Sequence, residues 1–134
     1  MRKKLSLKQF GAVLSFAIKL EGKLSKYYEE AVPKLEGHHS QELLERSKKA
    51  NKRKKKIERS RRENITEMTL EPIEDLNEEN YSINFDDYSI ESINTIEKTL
   101  TKFYIDAGPK INVLETRRVF KKCYEEHNNL NKLE

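Results

Sequence analysis

The chain has 134 residues and a single cysteine, which allows one domain with a buried core and excludes both an internal disulfide and a cysteine-based zinc site. Charged residues make up 37% and hydrophobic residues 35%, a balance typical of helices with narrow apolar seams and long solvated faces. The longest uncharged run near the start, Gln9 to Ile18, is too short to span a bilayer. We therefore expect an all-α, cytoplasmic protein.

The first two predicted helices form a hairpin. In the first, seam positions recur at alternating steps of four and three residues from Phe10 to Ala31. Pro33 lacks the N–H that a helix interior needs, so it should end or kink this helix nearby. The second helix is predicted from about Ser40, a residue type that caps helix N-termini, to the middle 60s. Its predicted inward positions are Leu43, Ser47, Ala50, Lys54 and Ile57.

An acidic segment, about residues 69–89, separates this hairpin from a second one and is long enough to cross the length of a helical bundle. The third helix has a seam from Ile90 to Ala107 and should end near Pro109. The fourth begins near Val113, with inward positions predicted at Val113, Arg117, Phe120, Tyr124 and His127. The prediction is a single helical domain over residues 1–134, with hairpins at about 5–68 and 90–134.

The two halves of the chain resemble each other. Residues 20–34 read LEGKLSKYYEEAVPK and residues 96–110 read IEKTLTKFYIDAGPK, aligned at a constant shift of 76. Glu21 matches Glu97, and Tyr28 matches Tyr104. Matches at this density without a gap indicate a duplicated helical hairpin.

Glu21 and Glu97 lie in the middle of apolar seams, at equivalent positions of equivalent helices. Because burying an isolated carboxylate is costly, each should meet a cation, a metal or a proton. Two hairpins, each with a central Glu and a Tyr seven residues later, resemble the ferritin-like superfamily, and rubrerythrin-type proteins most of all. The resemblance implies a four-helix bundle in which each hairpin supplies one Glu from its first helix and a Glu-x-x-His from its second, together holding two metal ions.

The second-helix motifs of that family are missing here. The corresponding positions read Lys54-x-x-Ile57 and Tyr124-x-x-His127, so only His127 is of ligand type. A lysine in place of a bridging carboxylate adds positive charge where a di-metal centre needs negative charge. We therefore expect neither a bound metal nor an enzymatic activity.

We expect a buried polar cluster instead, in which Lys54 bridges Glu21 and Glu97. Its hydrogen-bond donors would come from Tyr28, Tyr104, Tyr124 or His127. In one alternative the helix register differs and the two glutamates reach solvent at the end of the bundle. In another, Glu21, Glu97 and His127 form an irregular site for Fe, Mn or Zn.

Charge is strongly segregated along the chain. Residues 48–62 contain ten Lys or Arg and one Glu, and residues 63–91 contain ten Asp or Glu and neither Lys nor Arg. A helix face of this kind could bind nucleic-acid phosphates or another anion. It could equally contact an acidic protein or an anionic membrane, or be a solvated face paired with the acidic segment. The anion-binding candidates are Lys52, Arg53, Lys55, Lys56 and Arg59.

Three classes of function remain open, and fold alone does not choose among them. The favoured one is a metal-free binding or scaffold protein, followed by nucleic-acid or anion binding and by a metal-binding redox protein. A homodimer is possible if Ile18, Tyr27 and Phe103 are exposed beside the seams, although these residues could equally complete the core. Cys123 is expected to be a semi-buried structural residue.

Overall fold

A computed structural model describes residues 10–35, 37–64 and 76–134. The described chain forms four α-helices with short 3₁₀ turns between them, which confirms the predicted all-α class. The α-helices are α1 (Phe10–Ala31), α2 (Ser40–Asn64), α3 (Ile90–Ala107) and α4 (Leu114–Asn128). In this part of the chain, no helix is both long and apolar enough to cross a membrane. The predicted features at residues 1–9 and 65–75, Pro72 among them, lie outside the described residues.

Helices α1 and α3 end in the same way, each followed by a 3₁₀ turn that contains a proline. Val32–Lys34 follows α1, and Gly108–Lys110 follows α3. Because a proline has no N–H to donate, the α-helical hydrogen-bond ladder does not continue through either turn. Both helix ends agree with the predictions made from Pro33 and Pro109.

Helix α2 is antiparallel to α1. Gly11, near the start of α1, lies beside the guanidinium of Arg61, near the end of α2. Farther along α1, the Ser25 hydroxyl donates a hydrogen bond of 2.9 Å to the Ser47 carbonyl, near the start of α2. Helix α1 thus packs along most of the length of α2.

Helix α1 is also antiparallel to α3. The rings of Phe16 and Phe103 meet edge-to-face, with 5.3 Å between their centroids, and Tyr28 reaches Glu97 near the start of α3. Since α1 opposes both α2 and α3, those two helices run in the same direction. The acidic segment, which the sequence suggested could cross the length of the bundle, lies between these two helices in the chain, and its residues 69–75 are outside the described part of the chain.

The described part of that segment, residues 76–89, lies along the line where α1 and α3 meet. The Tyr81 ring packs on Phe103 with 5.3 Å between centroids, and the Tyr88 ring stacks on Tyr27 at 4.9 Å. These contacts cover aromatic side chains that the two helices alone would leave open to water. They also place this acidic stretch on the α1–α3 side of the fold.

The predicted seam positions of α1 from Leu14 to Ala31 and of α3 from Ile93 to Ala107 are buried. The inward face of α4 differs from the prediction at Tyr124, which is half-buried beside the buried Cys123, and at Arg117. Arg117 is exposed, and its neighbour Thr116 is fully buried. The reason is local, because the Arg117 guanidinium turns back and donates a hydrogen bond of 2.8 Å to the Ile111 carbonyl.

The three residues considered for a dimer surface belong to the core. Tyr27 and Phe103 are 2% and 0% exposed, and Ile18 is half-buried where it packs against the core. The apolar surface of Tyr27 and Phe103 is therefore covered within one chain, and that of Ile18 is covered in part.

Phe103 offers a direct test of this core. Because it is fully buried among aromatic rings, Phe103→Ala should lower the free energy of unfolding by about 3–5 kcal/mol. Ile105→Ala on the same helix, where the side chain is 52% exposed, should change it by less than about 0.5 kcal/mol. Urea unfolding followed by circular dichroism measures both, and equal effects would contradict the described packing.

Candidate functional site

Glu21 on α1 and Glu97 on α3 lie in the centre of the core, 0% and 7% exposed, and His127 from α4 bridges them. Its Nε2 atom is 2.8 Å from Glu21 Oε2, and its Nδ1 atom is 2.5 Å from Glu97 Oε1. Three helices therefore bring together three residues that the sequence had singled out. The alternative in which the two glutamates reach solvent does not describe this geometry.

The His127 ring is cationic. Neutral imidazole has one N–H donor, whereas both ring nitrogens here face a carboxylate, and only imidazolium can donate to both. Burial by itself would lower the pKa of His127, but the charges and hydrogen bonds of Glu21 and Glu97 raise this pKa to about 9. In turn, burial would raise the pKa of each glutamate, but the positive charge of His127 holds both below their usual value.

The second buried cation is Arg53, not Lys54 as predicted. Arg53 is 3% exposed, and its Nε atom donates a hydrogen bond of 2.9 Å to Glu21 Oε1. Its Nη1 atom donates another, of 3.0 Å, to Glu126 on α4. Lys54 is half-buried and runs its aliphatic stem alongside Gly22 instead of joining the cluster.

The one-residue error has a simple cause. Arg53 and Lys54 both lie between Ala50 and Ile57, and either one completes a pattern of helical steps of three and four. The spacing therefore did not decide which of them points inward. A guanidinium has several fixed donors, so Arg53 can bind two carboxylates at once, which suits a buried site better than the compact ammonium of lysine.

Two tyrosines complete the pairing of the carboxylates. Tyr104 donates a hydrogen bond of 2.6 Å to Glu21, and Tyr28 donates one to Glu97. Burial and the neighbouring carboxylates raise the pKa of both phenols well above the usual value, so both stay protonated as donors. Tyr124, the third candidate, is half-buried and packs against the edge of the core.

Arg46 is a member of this network that the sequence analysis did not identify. It is 3% exposed, and its Nη1 atom donates to the Tyr28 hydroxyl at 3.3 Å. Its Nη2 atom donates to the Asn131 carbonyl at 2.8 Å, which ties the C-terminal segment to α2. The signal was present, because Arg46 lies three residues after Leu43 and four before Ala50, at seam spacing.

The donors that could bind a metal ion here are engaged with one another in this structure. Glu21 and Glu97 are already matched by His127 and Arg53, two cations that contact them directly. A metal ligand must offer a lone pair, and both nitrogens of His127 are used as donors to carboxylates. Among the described residues, no group of three or more His, Cys, Asp or Glu is arranged to hold a metal ion.

Cys123 lies beside the cluster as a buried thiol, 2% exposed. Burial and the nearby Glu21 carboxylate raise its pKa above the usual value. Because the thiolate is the nucleophilic form, this environment favours an unreactive structural residue.

The candidate anion-binding residues are divided by the structure. Lys52, Lys55, Lys56 and Arg59 are exposed on α2. Arg53 points into the core, where Glu21 and Glu126 occupy it, so it is not part of that surface.

Comparisons with protein-family models, curated proteins and solved structures find no match for this chain.

Replacement of Arg53 tests the geometry of the site. Arg53→Met should lower the free energy of unfolding by about 3–5 kcal/mol, because Glu21 would lose one of its two cations inside the core. Lys54→Met should have a much smaller effect, because this side chain lies outside the cluster. Both variants keep a similar side-chain volume and remove one charge, and urea unfolding at pH 6 compares them. A larger loss of stability for Lys54→Met than for Arg53→Met would mean that Lys54 is the buried cation, as the sequence predicted.

The His127 imidazolium predicts a pH dependence of stability. Because folding raises the pKa of His127 from 6.5 to about 9, its stabilisation is complete below about pH 6.5 and is lost as the pH rises to about 9. This difference corresponds to about 3 kcal/mol. The lowered pKa of Glu21 and Glu97 acts in the opposite direction, since their stabilisation is lost as the pH falls below about 4.5.

Urea unfolding between pH 5.5 and 9.5 should therefore show stability falling along the alkaline limb. His127→Gln, which cannot become cationic, should be less stable at pH 6 and should lack most of that slope. A wild-type curve that stays flat from pH 6.5 to 9 would show that the ring is not a buried cation.

Proposed function

We propose that this protein is a non-enzymatic binding or scaffold protein, built as a ferritin-like four-helix bundle in which a buried ionic cluster has replaced the metal site. The observation that carries the proposal is the pairing of Glu21 and Glu97 with His127 and Arg53. In the ferritin-like family, carboxylates at such positions bind metal ions. Here, two protein cations neutralise the two carboxylates in place of metal ions.

The arrangement of the helices supports the resemblance. The crossover between two hairpins, with α2 and α3 running in the same direction, is the connection that a ferritin-like bundle requires. The shift of 76 residues aligns Tyr28 with Tyr104 and Glu21 with Glu97, so the Tyr28–Glu97 and Tyr104–Glu21 hydrogen bonds are equivalent in the two halves. This equivalence supports a duplicated hairpin.

The chemistry of the cluster favours a structural role over a catalytic one. Its carboxylates, imidazole and phenols are hydrogen-bonded to one another within the core. A reactive group has to meet a substrate, whereas most of these groups contact only other parts of the protein. Glu97 and His127 also line a groove between α3 and the C-terminal residues, but the two are hydrogen-bonded to each other there. The activity of such a protein would then lie in what its outer surface binds.

Metal loading tests this proposal. We expect purified protein, incubated with Fe(II), Mn(II) or Zn(II) and desalted, to retain less than about 0.1 metal ion per chain by elemental analysis. The melting temperature should also stay unchanged at saturating metal, because a ligand that binds only the native state raises it.

The matched control is the double variant Glu21→Gln, Glu97→Gln, measured at the same pH and checked for folding by circular dichroism. Metal near one ion per chain in the wild type that disappears in this variant would overturn the proposal and restore a metal-binding redox function. Metal retained equally by both proteins would come from another part of the chain and would leave the cluster metal-free.

A further inference from the structure

The outward face of α2 is an almost uninterrupted row of positive charge. Its exposed basic side chains extend over about 21 Å of helix, from residue 48 to residue 62. The one acidic residue in that stretch, Glu58, is half-buried. The exposed basic residues are Lys48, Lys49, Lys52, Lys55, Lys56, Arg59 and Arg62.

Helix α4 widens this row into a surface. Lys122 of α4 lines one groove together with Lys49 and a second groove together with Lys56 and Arg118. Glu126, an acidic residue beside both grooves, is bound by Arg53 from within the core. Two further glutamates, Glu125 at the first groove and Glu115 at the second, are exposed. We call these exposed basic residues of α2, with Arg118 and Lys122, the basic face.

One described acidic residue next to the basic block, Glu63, pairs with Arg59 of this face at 2.8 Å, but the described part of the acidic segment does not. Residues 76–89 lie along α1 and α3, where Tyr81 and Tyr88 anchor them, on the other side of the fold from the α2–α4 grooves. The interpretation of the basic block as a face neutralised by the acidic segment is therefore not supported by the contacts of these residues.

We infer that the basic face binds the phosphate backbone of double-stranded nucleic acid. Lysine and arginine side chains on a rigid helix can contact successive phosphates, which supply most of the affinity of non-specific duplex binding. Residues 48–62 include no aromatic residue, whereas single-strand binders use aromatic side chains for base stacking. The apolar residues of this stretch, Ala50 and Ile57, are fully buried, so they cannot anchor α2 in a lipid surface.

This inference names a partner for the binding role proposed above, but it depends on the outer surface alone. Loss of duplex binding would leave the metal-free cluster untouched, and discovery of a metal would leave the basic face untouched. Measurement of metal content and duplex binding on one preparation therefore separates the two proposals.

The experiment is fluorescence anisotropy with a labelled 20-base-pair DNA duplex, titrated with the full chain at several salt concentrations. For about five phosphate contacts, the slope of log affinity against log salt should be near −4.5, which is roughly a 500-fold loss between 50 and 200 mM salt. Two duplexes of unrelated sequence should bind equally well, and an RNA duplex of the same length tests whether the phosphate contacts extend to A-form helices.

The test variant is Lys52→Gln, Lys55→Gln, Lys56→Gln, which removes three exposed charges from the basic face. It should bind at least tenfold more weakly at 100 mM salt, with a slope shallower by about 3. The matched control is Lys23→Gln, Lys98→Gln, Lys132→Gln, which removes three exposed charges from other elements. It should stay within about twofold of the wild type.

Several results would overturn the inference. Equal losses of affinity for the two triple variants would mean that binding depends on net charge and not on the basic face. No duplex binding at 50 mM salt would rule out double-stranded nucleic acid as the partner. Tighter binding to a single-stranded oligonucleotide, to polyglutamate or to vesicles containing phosphatidylserine, lost in the same test variant, would assign the basic face to that partner instead.

Discussion

The rest of the structure depends on one interaction, in which the His127 ring is hydrogen-bonded to Glu21 on one side and to Glu97 on the other. Two ionised carboxylates in a protein core are stabilised when each meets a positive charge at hydrogen-bond distance. The imidazolium provides that charge for both at once, and in doing so it links α4 to α1 and α3. Arg53 adds α2 through Glu21, so all four helices converge on one ionic cluster. Any packing that displaces one helix leaves an unpaired charge buried in the core.

This constraint explains why the surroundings of the cluster are so aromatic. The Tyr104 ring stacks on the imidazole of His127, with 5.6 Å between their centroids, and Phe120 packs edge-to-face against Tyr104. Bulky rings exclude water from the ion pairs, and in a medium of low dielectric constant each ion pair is stronger. The crossover continues the same shielding at the surface, because Tyr81 covers Phe103 from outside. The cluster and its apolar shell therefore depend on each other.

The spacing of apolar residues predicted both the helices and the acidic residues of this site. An acidic residue at a seam position stands out against apolar neighbours, which is how Glu21 and Glu97 were found, and the equivalent register on α4 added His127. The cation on α2 could not be chosen in that way, since a run of consecutive basic residues offers one at every position of the helix. Whether Arg53 or Lys54 points inward depends on how α2 is rotated against its neighbours, which is a property of the tertiary packing.

The division of cations on α2 is itself informative. The two that point inward are arginines, Arg46 and Arg53, whose planar forks reach several acceptors, whereas the outward row consists mostly of lysines. The ionic cluster in the core explains why Arg46 and Arg53 are present. It does not explain the outward row of lysines, which is not part of the cluster. Like charges four residues apart, such as Lys48 and Lys52 or Lys52 and Lys56, destabilise an isolated helix by a few tenths of a kcal/mol each. A helix face that is only solvated would be more stable if positive and negative side chains alternated along it. A polyanion bound along α2 would neutralise the repulsion between these lysines, and the energy gained would contribute to binding.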